Sequence, residues 1–325
     1  MSLLEKPIPL PEADKLVPPD LSRAYFESCA ELPFASKASD FSLTNAWWLA
    51  EASFAAYGDD GKQVNLDHLA SANWKVGEIS SSNVRCLTLD GPDALILAFR
   101  GTRVEGFEDP VSRFRFFKTN WNDLVTDMTF PPQEIGNGRK VHQGFVTALE
   151  LVSEQMKSIV RQAKHQSPDK QIWCTGHSLG AALATLAADR LSQEFKVQGL
   201  YTYGSPRVGN DVFVNTFPIP NTYRFVHHRD VVTMVPLPGL FAHVGRLRYL
   251  TADGRLLETE EKYGLFDDLR EGVDFWKKIV QVANKDFHIG NMTTWPVPIE
   301  ALADHAPVYY ANKTWNLLVR ASASA

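Results

Sequence analysis

Apolar residues recur at helical spacing from Leu43 to Tyr57, LTNAWWLAEASFAAY, and Gly58 follows as a stop, so the pattern predicts a helix there. Val84 to Leu89 and Ala94 to Arg100 read as a hairpin split by the turn Asp90-Gly91-Pro92-Asp93. Its second arm, ALILAFR, is apolar up to the arginine, the composition of a strand covered on both faces. After the segment Gly101 to Phe130 come a helix from about Gly144 to Lys164, a strand from Lys170 to Thr175 and a small-residue helix from Ser178 to about Gln193. A strand from Gly199 to Gly204, a short helix after Asn210 and a strand from Thr222 to His228 complete the regular part. Strands alternating with helices predict an α/β fold with a mainly parallel central sheet and helices on both faces.

Between Pro236 and Pro298 the rhythm changes. The hairpin RLRYLTADGRLLETE turns at Asp253-Gly254 and an amphipathic helix follows from about Leu265 to Asn284, which reads as an inserted region, 239–298, laid over one domain. At the other end, Pro7, Pro9, Pro11, Pro18, Pro19 and Pro33 remove backbone donors and fix φ, so residues 1–42 are expected as an extended arm lying on a single domain at 43–325.

With 325 residues, 44% of them hydrophobic and 22% charged, the chain buries a sizeable core, which excludes intrinsic disorder. The net charge of -5 and the absence of a basic run leave no footprint for nucleic acid. Cys29, Cys86 and Cys174 cannot all pair within one chain and lack metal-ligand spacing, so neither a disulfide framework nor a metal is expected. No basic stretch leads into an apolar one at the N-terminus, and no window reaches ~18 apolar residues, so neither a signal peptide nor a transmembrane segment is visible. The default expectation is then a reducing, cytoplasmic setting, although leaderless export would leave the same sequence. Oligomeric state is not legible.

The sharpest chemical signal is Gly176-His177-Ser178-Leu179-Gly180, which follows a strand-like run and opens a helix-like one, the context that a nucleophile elbow requires. A serine forced onto so tight a turn needs Gly176 and Gly180, because a Cβ at either position would collide with backbone. Ala181, Ala182, Ala184, Ala187 and Ala188 let the helix lie close to the sheet, with its N-terminus directed at the serine, where positive dipole favours an oxyanion.

A serine hydroxyl needs a general base held in the right tautomer by an acid, and in an elbow fold these follow in chain order. Asp230 comes directly after the strand ending in His228, at the carboxyl edge of the sheet; a turn aspartate capping Val231 is the plainer alternative. Downstream remain only His243, His288 and His305. His305, ahead of a last helix, is the favoured base, and the other two read as surface or packing residues. His227 and His228, adjacent on a strand, are expected to point to opposite faces and to serve packing rather than one metal.

From about Ala94 onward the chain resembles the class 3 lipases, the fungal-lipase-like branch of the α/β-hydrolases. The matching pieces, in family order, are ILAFRGT, DLVTDMTF, VHQGF, TGHSLGAALATLAA, YTYGSPRVGN, HHRDVVTMVPLP and DHAPVYY. The resemblance implies an α/β-hydrolase fold, with Ser178 as nucleophile, Asp230 as acid and His305 as base. It further implies an oxyanion hole from the Leu179 backbone N–H and the backbone N–H and hydroxyl of Thr102, with Asp127 orienting Thr102. Two features depart from the family. Arg103 to Asn122 is longer than the short lid found in many relatives, and it interleaves Phe107, Phe114, Phe116, Phe117 and Trp121 with Arg113, Arg115 and Lys118. That is the composition of an interfacial lid at 103–122, a buried surface helix being the alternative. The secreted fungal relatives also carry signals and disulfides, which are not seen here.

The expected function is therefore a serine carboxyl-ester hydrolase acting on acylglycerols, with a lipid-like ester as partner and no cofactor. Phospholipase A1, feruloyl esterase and short-chain esterase activities share the chemistry, and a non-catalytic lipase-like binding module is the reading from a different class.

Overall fold

In the computed structural model, which describes residues 3–10, 16–58, 64–102, 131–236, 239–258 and 303–323, the apolar run Ala94–Phe99 forms strand β3 with every side chain buried. It pairs antiparallel with β2 (Val84–Asp90), as the intervening turn predicts. On its other edge it pairs parallel with β6 (Gln171–His177), in a register that sets Phe99 opposite Gly176. The parallel set continues through β7 (Val197–Tyr203), β8 (Thr222–His227) and β9 (Arg246–Leu250). With β1 (Lys75–Ser81) on one edge and β10 (Leu256–Leu257) on the other, the strand order is β1-β2-β3-β6-β7-β8-β9-β10. A separate antiparallel ribbon joins β4 (Pro132–Glu134) to β5 (Lys140–His142).

Two cores, one on each face, follow from the period of two along β3. Ala94, Ile96 and Ala98 join Trp47, Trp48, Phe54, Trp173 and Tyr310 under the helices Leu43–Ala55 and Pro307–Ala323. Leu95, Leu97 and Phe99 join Met156, Val160, Cys174 and Leu183 under the helices Gln143–Glu150, Ser153–Gln166 and Leu179–Leu191.

Two expectations change. The single helix predicted over 144–164 is broken at Leu151 and Val152, whose amides bond to Ala148 and Leu149 in tight turns. The break keeps Val152, Met156, Val160 and Ala163 on the buried side while Leu151 stays exposed. The hairpin at Arg246–Leu257 turns at Asp253-Gly254 as read, but it is not laid over the domain. Its first arm satisfies its free edge by pairing with β8, which extends the central sheet. The predicted helix at 265–284 and the segment 103–122 lie outside the described residues.

The proline-rich stretch at the start cannot donate regularly to a sheet, and its carbonyls are taken up by side chains of the Pro307–Ala323 helix instead. Trp315 Nε1 donates to the Leu4 carbonyl at 2.8 Å, Asn312 Nδ2 to that of Pro7 at 2.8 Å and the Tyr309 hydroxyl to that of Pro9 at 3.0 Å. Further along, Tyr25 and Phe26 are fully buried. Arg23 Nε lies 3.1 Å from the carboxylate of Glu51, which is itself fully buried, and Lys6 Nζ lies 3.8 Å from it. Burial opposes the charged form of Glu51, but the Arg23 guanidinium and then the Lys6 ammonium outweigh it and hold the carboxyl below its ordinary range. Glu51→Ala strands the buried Arg23 charge and is expected to lower the unfolding free energy by about 3–5 kcal/mol, read from urea denaturation.

Candidate active site

Strand β6 ends at His177 and the Leu179–Leu191 helix begins two residues later, leaving Ser178 to make the whole turn at φ 60 and ψ −131. A serine holds that left-handed value only where its surroundings over-determine it. Here they do so through the flanking glycines. A Cβ on Gly176 would lie 2.2 Å from the Gly180 carbonyl oxygen, and one on Gly180 would lie 2.1 Å from that of Phe99, so only glycine lets strand, turn and helix close on each other. The Ser178 amide donates to the Tyr203 carbonyl at 3.0 Å, tying the turn to the end of β7.

Two other chain segments reach this point. Gly101, following β3, packs so closely that an added Cβ would meet the His177 carbonyl oxygen at 2.8 Å, so the chain passes against the turn one residue before the exposed Thr102. Leu179 is the first residue of the helix, so its amide lies among the N-terminal donors left over by helix geometry.

Beyond Tyr203 the chain turns at Gly204, φ 57, where a Cβ would come within 2.7 Å of Asp230 Oδ2 and 2.9 Å of His305 Nδ1. His305 and Asp230 therefore lie over the strand end to which Ser178 is bonded. His305 Nδ1 donates to the Asp230 carboxylate, 2.9 Å from each oxygen, and both residues are buried. Asp230 also accepts the Val232 amide at 2.9 Å, so it caps the 3-10 turn Val231–Met234 as well as holding the imidazole. One side chain thus both caps the turn and bonds the imidazole.

Three residues of this cluster carried no role in the sequence. The Tyr310 hydroxyl donates to Asp230 Oδ2 at 2.5 Å; burial and then the aspartate charge push its pKa well up, so it remains a donor. His177 packs against His305 with ring centroids 4.4 Å apart and ring planes tilted by 31°. Its Nε2 donates to the His305 carbonyl at 2.7 Å, which leaves Nδ1 to accept the Tyr57 hydroxyl at 2.8 Å. Burial and then the nearby His305 hold His177 far below the ordinary histidine range, so the ring is neutral. Tyr57 ends the first apolar pattern, His177 sits inside the pentapeptide and Tyr310 inside DHAPVYY, so position relative to motifs was the available signal.

Other expectations resolve differently. His243 is half-buried and its Nε2 donates to the Thr233 carbonyl at 2.8 Å, a packing role. His227 and His228 do not point to opposite faces. β8 ends at His227, His228 turns away at φ 41, and both Nδ1 atoms reach Asp304, at its carbonyl (2.8 Å) and its carboxylate (2.9 Å) respectively. Among the described residues no cluster of His, Cys, Asp and Glu could hold a metal ion, and no helix is long and apolar enough to cross a membrane. Asp127, His288, Phe114, Phe116, Phe117 and Trp121 lie outside the described residues.

Residues 96–239 match the family model of Lipase (class 3), and those residues carry both the strained serine and Asp230. Over that stretch the chain is similar to the class 3 lipases. It is 41% identical over 121 residues to a secreted mono- and diacylglycerol lipase of Fusarium solani, covering 36% of this chain and 35% of that one. It is 31% identical over 205 residues to a lipase of Rhizomucor miehei, covering 59% and 49%. The chain thus spans about half or less of the length of these curated relatives. Among solved structures, the lipase of Rhizopus microsporus var. chinensis superposes with a TM-score of 0.51 at 26% identity, covering 64% of this chain and 73% of its own. The fold is that of the α/β-hydrolases.

The cytoplasmic setting expected from the sequence is overturned by these relatives. Those from Fusarium solani, Penicillium cyclopium and Penicillium camembertii are named as secreted, which points to an extracellular setting. Cysteine usage does not oppose this. All three thiols are free and buried, and burial pushes Cys174 up to about 12 and Cys86 well above its ordinary value, so they are protected in an oxidising medium.

Proposed function

We propose that the chain is a serine carboxyl-ester hydrolase acting on acylglycerols through an acyl-enzyme. The observation that carries this reading is the strained Ser178 turn bonded to the strand end over which the His305–Asp230 pair lies. Ser178 Oγ attacks the ester carbonyl while His305 Nε2 takes its proton, and Asp230 keeps the other ring proton on Nδ1. The Leu179 amide, with the amide and hydroxyl of Thr102, receives the charge that develops on the carbonyl oxygen. His305 then returns the proton to the leaving alcohol and activates the water that releases the acid.

The substrate class is supported by the similar proteins named as mono- and diacylglycerol lipases and by a structural neighbour described as a triacylglycerol lipase with a serine protease triad. Phospholipase A1, feruloyl esterase and short-chain esterase share the chemistry and differ in the acyl pocket. Rates on mono-, di- and triacylglycerols, on a phospholipid and on a feruloyl ester test the proposal. Preference for acylglycerols supports it, and preference for either other ester contradicts it.

Thr102→Val keeps the branched shape and the backbone amide while removing the hydroxyl donor. It is expected to cost about 10²–10³ in kcat, as loss of one oxyanion donor does. Steady-state kinetics check this, and a change confined to KM would assign Thr102 to substrate binding alone.

A further inference from the structure

Lys313 lies on the inner face of the Pro307–Ala323 helix, buried beside the proposed site but outside it. Its Nζ donates to the carbonyls of Thr251 at 2.8 Å and Ala252 at 2.9 Å and approaches His227 Nε2 at 2.7 Å. Three acceptors match the three hydrogens of an ammonium, which has no lone pair to offer in return. His227 Nε2 must therefore be the unprotonated nitrogen. The ring proton sits on Nδ1 and is donated to the Asp304 carbonyl at 2.8 Å. Burial and then the Lys313 charge hold His227 down at about 4, so the ring is neutral with this tautomer fixed.

The Asp304 carbonyl belongs to the peptide that leads into His305. The next carbonyl, that of His305 itself, accepts from His177. Two neutral imidazoles thus hold consecutive carbonyls of the segment carrying the proposed base, one set by the Tyr57 hydroxyl and the other by Lys313. We propose that Lys313 is a positioning residue for His305, acting through His227: by dictating the His227 tautomer it pins the Asp304–His305 peptide and the imidazole that follows. This rests on the reading of His305 as the base. Without the ammonium, His227 is free to carry its proton on Nε2, and its Nδ1 lone pair then faces the lone pairs of the Asp304 carbonyl. The peptide shifts, and small misplacements of a reacting group are costly in rate.

The test uses Lys313→Met, which keeps a long apolar side chain, in two backgrounds. His227→Asn supplies an amide N–H near the position of Nδ1 without any tautomer to set. Lys313→Met is expected to lower kcat on a dissolved short-chain ester by about 10–100-fold with KM within about twofold in the parent. In the His227→Asn background the same substitution is expected to cost less than about threefold. Equal losses in both backgrounds would overturn the proposal, because they would mean that Lys313 only fills space. Ring ¹⁵N shifts of His227 in the parent give a readout independent of turnover. A proton on Nδ1 is expected, and a proton on Nε2 overturns the proposal even if no variant folds. If the parent shows the expected tautomer but has no ester turnover, it is the hydrolase reading that has failed.

Discussion

Ser178→Ala is expected to fold like the parent and to lose ester turnover by about three or more orders of magnitude, because the attacking oxygen goes while the pair His305–Asp230 and the oxyanion donors persist. The fold should tolerate the change. Ser178 donates its amide, not its side chain, to Tyr203, and alanine meets the same steric demands at φ 60 as serine. Matched thermal unfolding with turnover reduced only a few fold would contradict the role. The rate assay and the unfolding curve must be read together.

His305→Ala is expected to come close to Ser178→Ala in effect, with turnover reduced by about three orders of magnitude or more, since groups that act as a unit fail together. A buried Asp230 would lose its imidazole partner, although the Val232 amide and the Tyr310 hydroxyl would still bond it. The informative control is His243→Ala. His243 also follows Asp230 in chain order, but its Nε2 is committed to the Thr233 carbonyl, so the variant should keep most of the parent kcat at a temperature where it is folded. A dead His243 variant beside an active His305 variant would reverse the assignment.

The parallel core of the sheet was legible because its strands are covered on both faces and so read as apolar runs. ALILAF and QIWCTGH are buried almost throughout. β1 was not legible for the opposite reason. In KVGEISS only Ile79 is buried, and an edge strand facing solvent leaves no periodic trace. The Asp253-Gly254 turn was visible as a local signal, whereas the pairing of β9 with β8 depends on residues about twenty positions apart that carry no mark of one another.

The candidate site divides in the same way. Ser178, its glycines and the order of acid and histidine follow from turn sterics and from chain order along the sheet edge. Tyr57, His177, Tyr310 and the Lys313–His227 contact do not, because their meaning lies in which nitrogen faces which carbonyl once distant elements have packed. The adjacent histidines show how a local rule fails. Alternation holds only while the strand lasts, and β8 stops at the first of them.

The central claim is that Ser178 is the nucleophile of an ester hydrolase, and the most direct measurement is the site of covalent modification by an alkyl phosphonate ester, an analogue of the tetrahedral intermediate. Titration of the parent should reach one phosphonate per chain as turnover is lost, and peptide mass spectrometry should place the adduct on Ser178. An adduct on another serine, or full loss of turnover with Ser178 unmodified, would contradict the account.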